Sequence, residues 1–314
     1  MSVLHEIKSE SLAVTIADYG GRLARIVYGG GSSATDVLLG HEDEAAYRDD
    51  PHFLGATLGR FANRIGGARF ELEGEAFRLD ANEHGNTLHG GAGGFHAKSW
   101  SVEAKERHRL VLQLVSPDGD QGFPGRLCVR TRFSVEGGTL TVSYEAQTDR
   151  PTPISLSQHP YFNLGGAGCG TVEDHAVSIA SGRIVVVDDE GIPTGDVQAV
   201  DDTVFDLRRP VRLGEVLPRP APVGFDHCYL GAGEGVRAEV VHAPSGRRLR
   251  LASDQPALQF YTGGKLDGGF MPFGGLCLEP QDVPDAPNQS AFAATILRPG
   301  GTYRRSIRYS FDEI

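Results

Sequence analysis

Alternation of apolar and polar residues recurs from one end of this chain to the other, and it constrains the fold more than any other feature. In 12–16, Leu12, Val14 and Ile16 alternate with Ala13 and Thr15. In 126–135, Leu127, Val129 and Phe133 share one face, and Arg126, Arg130 and Arg132 share the other. In 139–147, Leu140, Val142 and Tyr144 alternate with Thr141, Ser143 and Glu145; Tyr303, Ile307, Tyr309 and Phe311 keep the same period near the end. A period of two is the strand period, and this pattern belongs to antiparallel strands with one face buried and one in water. Only EDEAAYR (42–48) offers a helix, and it is short. The 42 glycines among 314 residues exceed the usual ~7% and cluster between strands, as turn chemistry requires. The expected architecture is all-β, a large antiparallel β-sandwich of two packed sheets.

The Gly- and Pro-rich pieces at 28–33, 163–170 and 214–224 are short and each is followed by renewed alternation, so they read as loops, not linkers. Residues 1–314 are expected to form a single domain. A chain of this length buries roughly 75% of its unfolded surface and needs neither disulfide nor metal to hold a core. Cys128, Cys169, Cys228 and Cys277 are far apart with no CxxC spacing, which fits reduced thiols in a cytoplasmic protein. Lys plus Arg is 30 against 41 for Asp plus Glu, a net charge of −11. Phosphate backbones and anionic membranes repel such a chain, so neither nucleic acid nor a membrane is an expected partner. MSVLHEIKSESL lacks a basic region followed by an apolar core, and no run of 18 apolar residues exists, so no signal peptide or span is expected.

Five segments carry polar residues that a sheet protein would not ordinarily need: GRFANRIGG (59–67), NTLHGG (86–91), SQHPYFNLGG (157–166), GFDHCYL (224–230) and LEPQDVPDAPNQ (278–289). Singly, each has a plain explanation. His89 would be a loop histidine, His159 a strand-end cap before Pro160, Asp226 a turn aspartate and Glu279 a surface residue. Together with SPDGDQGFPG (116–125) and FYTGGKLDG (260–268), and in this order, they resemble the galactose mutarotase family. Asn63-Arg64 followed by LHGG, the HPYFNL run, the lone Asp226 and the closing segment with Glu279 carry the resemblance.

The resemblance implies a β-sandwich of the galactose mutarotase type and aldose 1-epimerase activity, the interconversion of α and β anomers of a free aldose, a galactose- or glucose-like hexose or a pentose. No cofactor and no metal are implied. It also implies Glu279 as base, His159 as acid, and His89 and Arg64 as donors near the ring oxygen. Asp226 would anchor sugar hydroxyls. Asn63 and Gln259 are weaker sugar-binding candidates that could equally brace loops. The family commonly has Thr-Gln-His after its glutamate where this chain has Pro280-Gln281-Asp282, and the stretch between Gln259 and Glu279 looks shorter than in many members. Both departures are expected near the pocket and would bear on sugar preference. The expected partner is a small free sugar, with the chain a monomer or homodimer.

These residue types suit the reaction. Ring opening needs a base for the C1 hydroxyl proton and an acid for the ring oxygen, and a carboxylate with an imidazolium is a natural pair. From reference values of about 4.3 and 6.5, ionised Glu279 and protonated His159 need modest tuning, and nearby carboxylates favour the charged histidine. The acidic limb of a pH profile is then expected from Glu279 and the basic limb from His159. GxGxxG, P-loop and HExxH patterns are absent from the sequence. Three other readings stand beside this one. A hexose-6-phosphate 1-epimerase would want converging arginines such as Arg60 and Arg64. Glycoside hydrolysis by Asp226 and Glu279 leaves the histidines unexplained. A non-catalytic sugar-binding protein of the same fold would be marked by loss of the acid or base.

Overall fold

The computed structural model describes residues 3–31, 34–217, 224–231 and 235–314. Residues 32–33 and 218–223, parts of two of the expected loops, lie outside the described residues.

Alternation becomes antiparallel sheet throughout. One sheet has nine strands in the order Ser101–Glu106, Arg109–Ser116, Leu127–Glu136, Thr139–Thr148, Tyr303–Glu313, Arg247–Ser253, Val236–His242, His175–Ile179 and Val211–Arg212. A second has six, in the order Tyr161–Phe162, Leu276–Gln281, Ala257–Tyr261, Asp226–Leu230, Arg183–Val187 and Pro193–Ala199. The N-terminal strands Leu4–Lys8, Leu12–Ala17 and Arg22–Tyr28, with Thr35–Asp36, form a third sheet. The expected all-β sandwich is what the chain forms. The short helical candidate is a single 3-10 piece, Glu44–Arg48, capped by the Asp43 carboxylate accepting the Ala45 N–H at 2.9 Å.

The apolar faces meet as the period requires. Leu127, Val129 and Phe133 are fully buried while Arg130 and Arg132 face water. They share one continuous core, from Ile7 to Phe311, with Leu258, Phe260, Leu276 and Leu278 of the six-stranded sheet. Fully burying such a side chain is worth roughly 1.5–3 kcal/mol.

The six-stranded sheet differs in that at Leu276–Gln281 and Ala257–Tyr261 its second face is covered too. All six residues of Leu276–Gln281 are buried. Alternation sends Leu276 and Leu278 into the core, so Cys277 and Glu279 point the other way. Register completes that second face: Glu279 lies opposite Gln259, which lies opposite Cys228. The next row is Tyr161, Cys277, Tyr261 and Asp226. A polar floor is thus built directly behind the core.

The segment 116–125 closes around a buried cation. Arg60 is 2% exposed, and its guanidinium donates to the Pro124 and Gly125 carbonyls at 2.7 and 2.9 Å and to Ser116 Oγ at 2.7 Å. Gly122 turns with φ +90°, and a Cβ there would sit 2.0 Å from the Arg78 carbonyl oxygen, so only glycine fits the approach. Burial pushes the Arg60 pKa down to about 10, with Asp120 and Asp118 opposing; it remains charged at neutral pH. Hydrogen bonds to a charged group contribute about 1.5–3 kcal/mol each. Arg60→Met should therefore destabilise the fold by about 3 kcal/mol or more, read as a lower urea midpoint with an unchanged m-value. A midpoint within error of the parent would show that 116–125 holds its shape without the cation.

Candidate active site

The polar floor of the six-stranded sheet is roofed by three loops. His159 directly follows the short strand Ser157–Gln158, and its backbone is knitted to the 55–56 stretch: its N–H donates to the Ala56 carbonyl at 3.0 Å and its carbonyl accepts the Gly55 N–H at 2.9 Å. That stretch is fastened in turn by a buried ion pair. Arg22 donates to Asp50 Oδ2 at 2.6 Å, and the same carboxylate accepts the Leu54 and His52 N–H groups at 2.7 and 3.0 Å. The result sets the Phe53 ring 4.7 Å from His89 and 6.1 Å from His159.

Asn63 and His89 hold each other. The Asn63 N–H donates to His89 Nδ1 at 3.1 Å, and the His89 N–H donates to the Asn63 carbonyl at 3.0 Å. Phe53, Asn63 and His89 all have φ between 52° and 66°, a region non-glycine residues rarely occupy and one that concentrates at functional sites. The Asn63 side chain accepts the Arg64 N–H at 2.8 Å, and Arg64 forks onto Glu83 through Nε and Nη2 at 2.7 and 2.9 Å.

These elements enclose a hollow of about 170 Å³. All seven residues singled out in the sequence line it: Glu279, His159, His89, Arg64, Asp226, Asn63 and Gln259. Larger hollows of about 490–650 Å³ lie elsewhere on the molecule, so chemistry rather than size singles this one out. Glu279 Oε2 and His159 Nε2 are 3.7 Å apart, with side chains 2% and 6% exposed. Gln259 Nε2 donates to Asp226 Oδ1 at 2.6 Å. Glu279 Oε2 and Gln259 Oε1 are buried with no protein hydrogen-bond partner. Asn63 and Gln259 thus do both things considered for them: they brace their neighbours and line the hollow.

The electrostatics correct one expectation. Burial raises the Glu279 pKa well above the usual carboxylate range, Asp226 adds to the rise and Arg64 opposes it. Burial brings His159 down to about 4, against the opposing pull of its own backbone hydrogen bond, Asp50 and Asp226. Burial thus works against both the ionised glutamate and the charged histidine expected near neutral pH, raising one pKa and lowering the other. Desolvation outweighs the nearby carboxylates that were expected to decide the matter. His89 is likewise held well below its ordinary value, first by burial and then by His159.

Ligand atoms of His89, His159 and Glu279 all lie within 4.8 Å of one another, close enough to suggest a metal centre. The hydrogen bonding of His89 argues otherwise. Its Nδ1 accepts the Asn63 N–H, so in the neutral ring Nε2 carries the proton and offers a donor, not a lone pair. The trio is set up to exchange hydrogen bonds with a polar ligand.

Two further expectations change. Pro280-Gln281-Asp282 does not line the hollow. The Pro280 carbonyl accepts Gln255 Nε2 at 2.8 Å, and Asp282 accepts the Thr295 N–H at 3.0 Å, so this departure is structural. Arg60 is spent on the 116–125 segment, leaving Arg64, already forked to Glu83, as the arginine lining the hollow. Sequence reading missed Phe53, Tyr161, Tyr261, Lys265, His52 and Glu83 in the lining. Period two from Gln259 would have found Tyr261, and Tyr161 lies inside the quoted HPYFNL run; Glu83 carries no such signal.

The sequence model of the family described as Aldose 1-epimerase matches residues 3–310. The chain is 39% identical to galactose mutarotase of Bos taurus, covering 98% of this chain and 93% of that protein. It is 35% identical to aldose 1-epimerase of Escherichia coli (strain K12), covering 96% and 92%. Its fold matches the crystal structure of an aldose epimerase homologue from C. elegans with a TM-score of 0.94 at 26% identity, over the whole of both chains. Sharing sequence with these relatives along nearly its full length, and the fold along all of it, this chain belongs to the aldose 1-epimerase family.

Proposed function

We propose that this protein is an aldose 1-epimerase that opens and recloses the ring of a free aldose, with Glu279 as base and His159 as acid. One observation carries the reading: a buried carboxylate and a buried imidazole 3.7 Å apart in the same polar hollow, with Glu279 Oε2 unpartnered by protein. Glu279 takes the C1 hydroxyl proton while His159 delivers one to the ring oxygen, and the bond between C1 and that oxygen breaks to give the aldehyde. Rotation about C1–C2 and the reverse transfers give the other anomer and restore the starting proton count. His89 Nε2–H and Arg64 supply hydrogen bonds and positive charge for the oxygens that gain charge during opening. Asp226, held by Gln259, accepts from sugar hydroxyls in ground and transition states alike.

Burial favours a proton on Glu279 over one on His159, and the productive arrangement moves it to His159. Both arrangements hold one proton, so the shift between them leaves no mark on the pH dependence. A neutral free sugar suits a hollow whose arginine is already paired, which disfavours the 6-phosphate reading. The presence of both acid and base disfavours a binding-only role. The same reading takes residues 1–314 as one folding unit, supported by the core running from Ile7 to Phe311. It places the protein in a reducing cytoplasm, supported by four free thiols.

Purified protein should accelerate mutarotation of at least one aldose in a polarimetric panel of hexoses and pentoses, with no loss on chelator treatment. Rates at the buffer level for every sugar would sink the reading. Glu279→Gln and His159→Asn should each lower kcat by about 10² or more. The double variant should lose far less than the product, because the two transfers serve one step. Asp226→Asn should chiefly raise KM; abolished turnover with intact binding would refute the anchoring role.

The pH profile of kcat/KM reports the free enzyme. Its acidic limb should lie near 4, where His159 takes up a second proton. Its basic limb should lie above the ordinary carboxylate range, where the pair loses its proton from Glu279. This assignment reverses the one expected from reference values. In Glu279→Gln the residual activity should lose that basic limb; a limb that persisted unmoved would belong to another group.

A further inference from the structure

One side chain in the hollow has no part in the scheme above, yet it makes a two-point ionic contact with a residue that does. Glu83 opens a tight turn, Glu83–Asn86, in which the Asn86 N–H donates to the Glu83 carbonyl at 2.7 Å and the Glu83 N–H to the Asn86 carbonyl at 3.0 Å. Both central residues are left-handed, His84 at φ 47° and Gly85 at φ 89°, as the reversed hairpin turns demand. The turn brings the carboxylate edge-on to Arg64, one oxygen on Nε at 2.7 Å and the other on Nη2 at 2.9 Å. Such a fork fixes the guanidinium plane as well as its position.

A second turn closes on the same cation. A Cβ on Gly191 would stand 3.1 Å from Arg64 Nη1 and 3.2 Å from Cζ, so the glycine backbone lies against the guanidinium. Asn86 Nδ2 donates to Glu190 Oε2 at 2.9 Å and ties the two turns together. Arg64 is thereby held at its edge by Glu83 and flanked by Gly191, with Nη1 outside the fork. The charges of Asp226 and Glu279 also reach this cation. Released from its fork, the guanidinium would be free to pair instead with Asp226 or Glu279, the groups that are meant to meet the sugar.

We propose that Glu83 is a positioning residue for anomer exchange, holding Arg64 edge-on so that its remaining donors serve the substrate while Glu279 stays unpaired. The proposal rests on the epimerase reading above. Its effect belongs to the chemical step, because a misplaced donor is felt most where charge develops.

The test is a double-mutant cycle on mutarotation of the best sugar found in the panel, using Glu83→Ala, Arg64→Ala and the pair. Glu83→Ala should lower kcat about tenfold to a hundredfold, with KM changed less than about threefold. In the Arg64→Ala background the same substitution should change kcat by less than about twofold, since a residue acting through Arg64 has nothing left to position. Glu83→Gln, which keeps the volume and one acceptor, should fall between, with circular dichroism and melting temperature close to the parent. Wild-type kcat in Glu83→Ala, or an equal loss with and without Arg64, would overturn the proposal while the enzyme itself remains active. A wild type inactive on every sugar would instead overturn the epimerase reading, and this proposal with it.

Discussion

The site depends on one strand being buried on both faces. Leu276–Gln281 contributes Leu276 and Leu278 to the main core, and the same backbone, one residue out of phase, carries Cys277 and Glu279 into the hollow. Because the side-chain period is two, a slip of one residue would exchange glutamate for leucine on both faces at once. The core therefore sets the register of the base. Desolvation of Glu279 follows from the same placement, and with it the rise of its pKa above the usual carboxylate range.

Around this strand, the loops are immobilised by charges buried out of the reaction's way. Arg22 and Asp50 hold the 50–54 segment that carries Phe53, while Arg60 grips 116–125. In each cation both terminal nitrogens meet several acceptors while Nε is left without a partner, and pairing of this extent is what lets a buried charge be tolerated. The left-handed backbones at Phe53, Asn63 and His89 are the counterpart. Strained conformations persist only where surrounding bonds over-determine them, and the reciprocal hydrogen bonds between Asn63 and His89 do this directly.

Much of this was legible in the sequence. Period two in Leu127–Glu136 and Thr139–Thr148 gave the strands and their buried faces, and the ordered motifs named seven residues that line one hollow. The opposite shifts of Glu279 and His159 were not legible, because reference values carry no knowledge of what packs above them. The place of Arg60 was hidden for a related reason: its proximity to Arg64 in sequence says nothing about the carbonyls of 116–125 waiting on the other side. Glu83 went unnoticed because turn residues such as His84 and Gly85 advertise a chain reversal and not the destination of the side chain before it. The departure at Pro280-Gln281-Asp282 looked close to the chemistry by numbering, yet these residues leave the lining immediately after Glu279.

The reciprocal bonds of Asn63 and His89, with the register that sets Glu279 opposite Gln259, also bear on how the site comes into being. Its members span Asn63 to Glu279, and no local stretch holds more than a fraction of them. Closing such distant segments takes large losses of chain entropy before any contact rewards it, and folds dominated by non-local pairing are slow to form. The hollow is thus complete only in a chain that has delivered Leu276–Gln281 into the sheet. A chain without that pairing would lack its base, whatever else of the core it had formed.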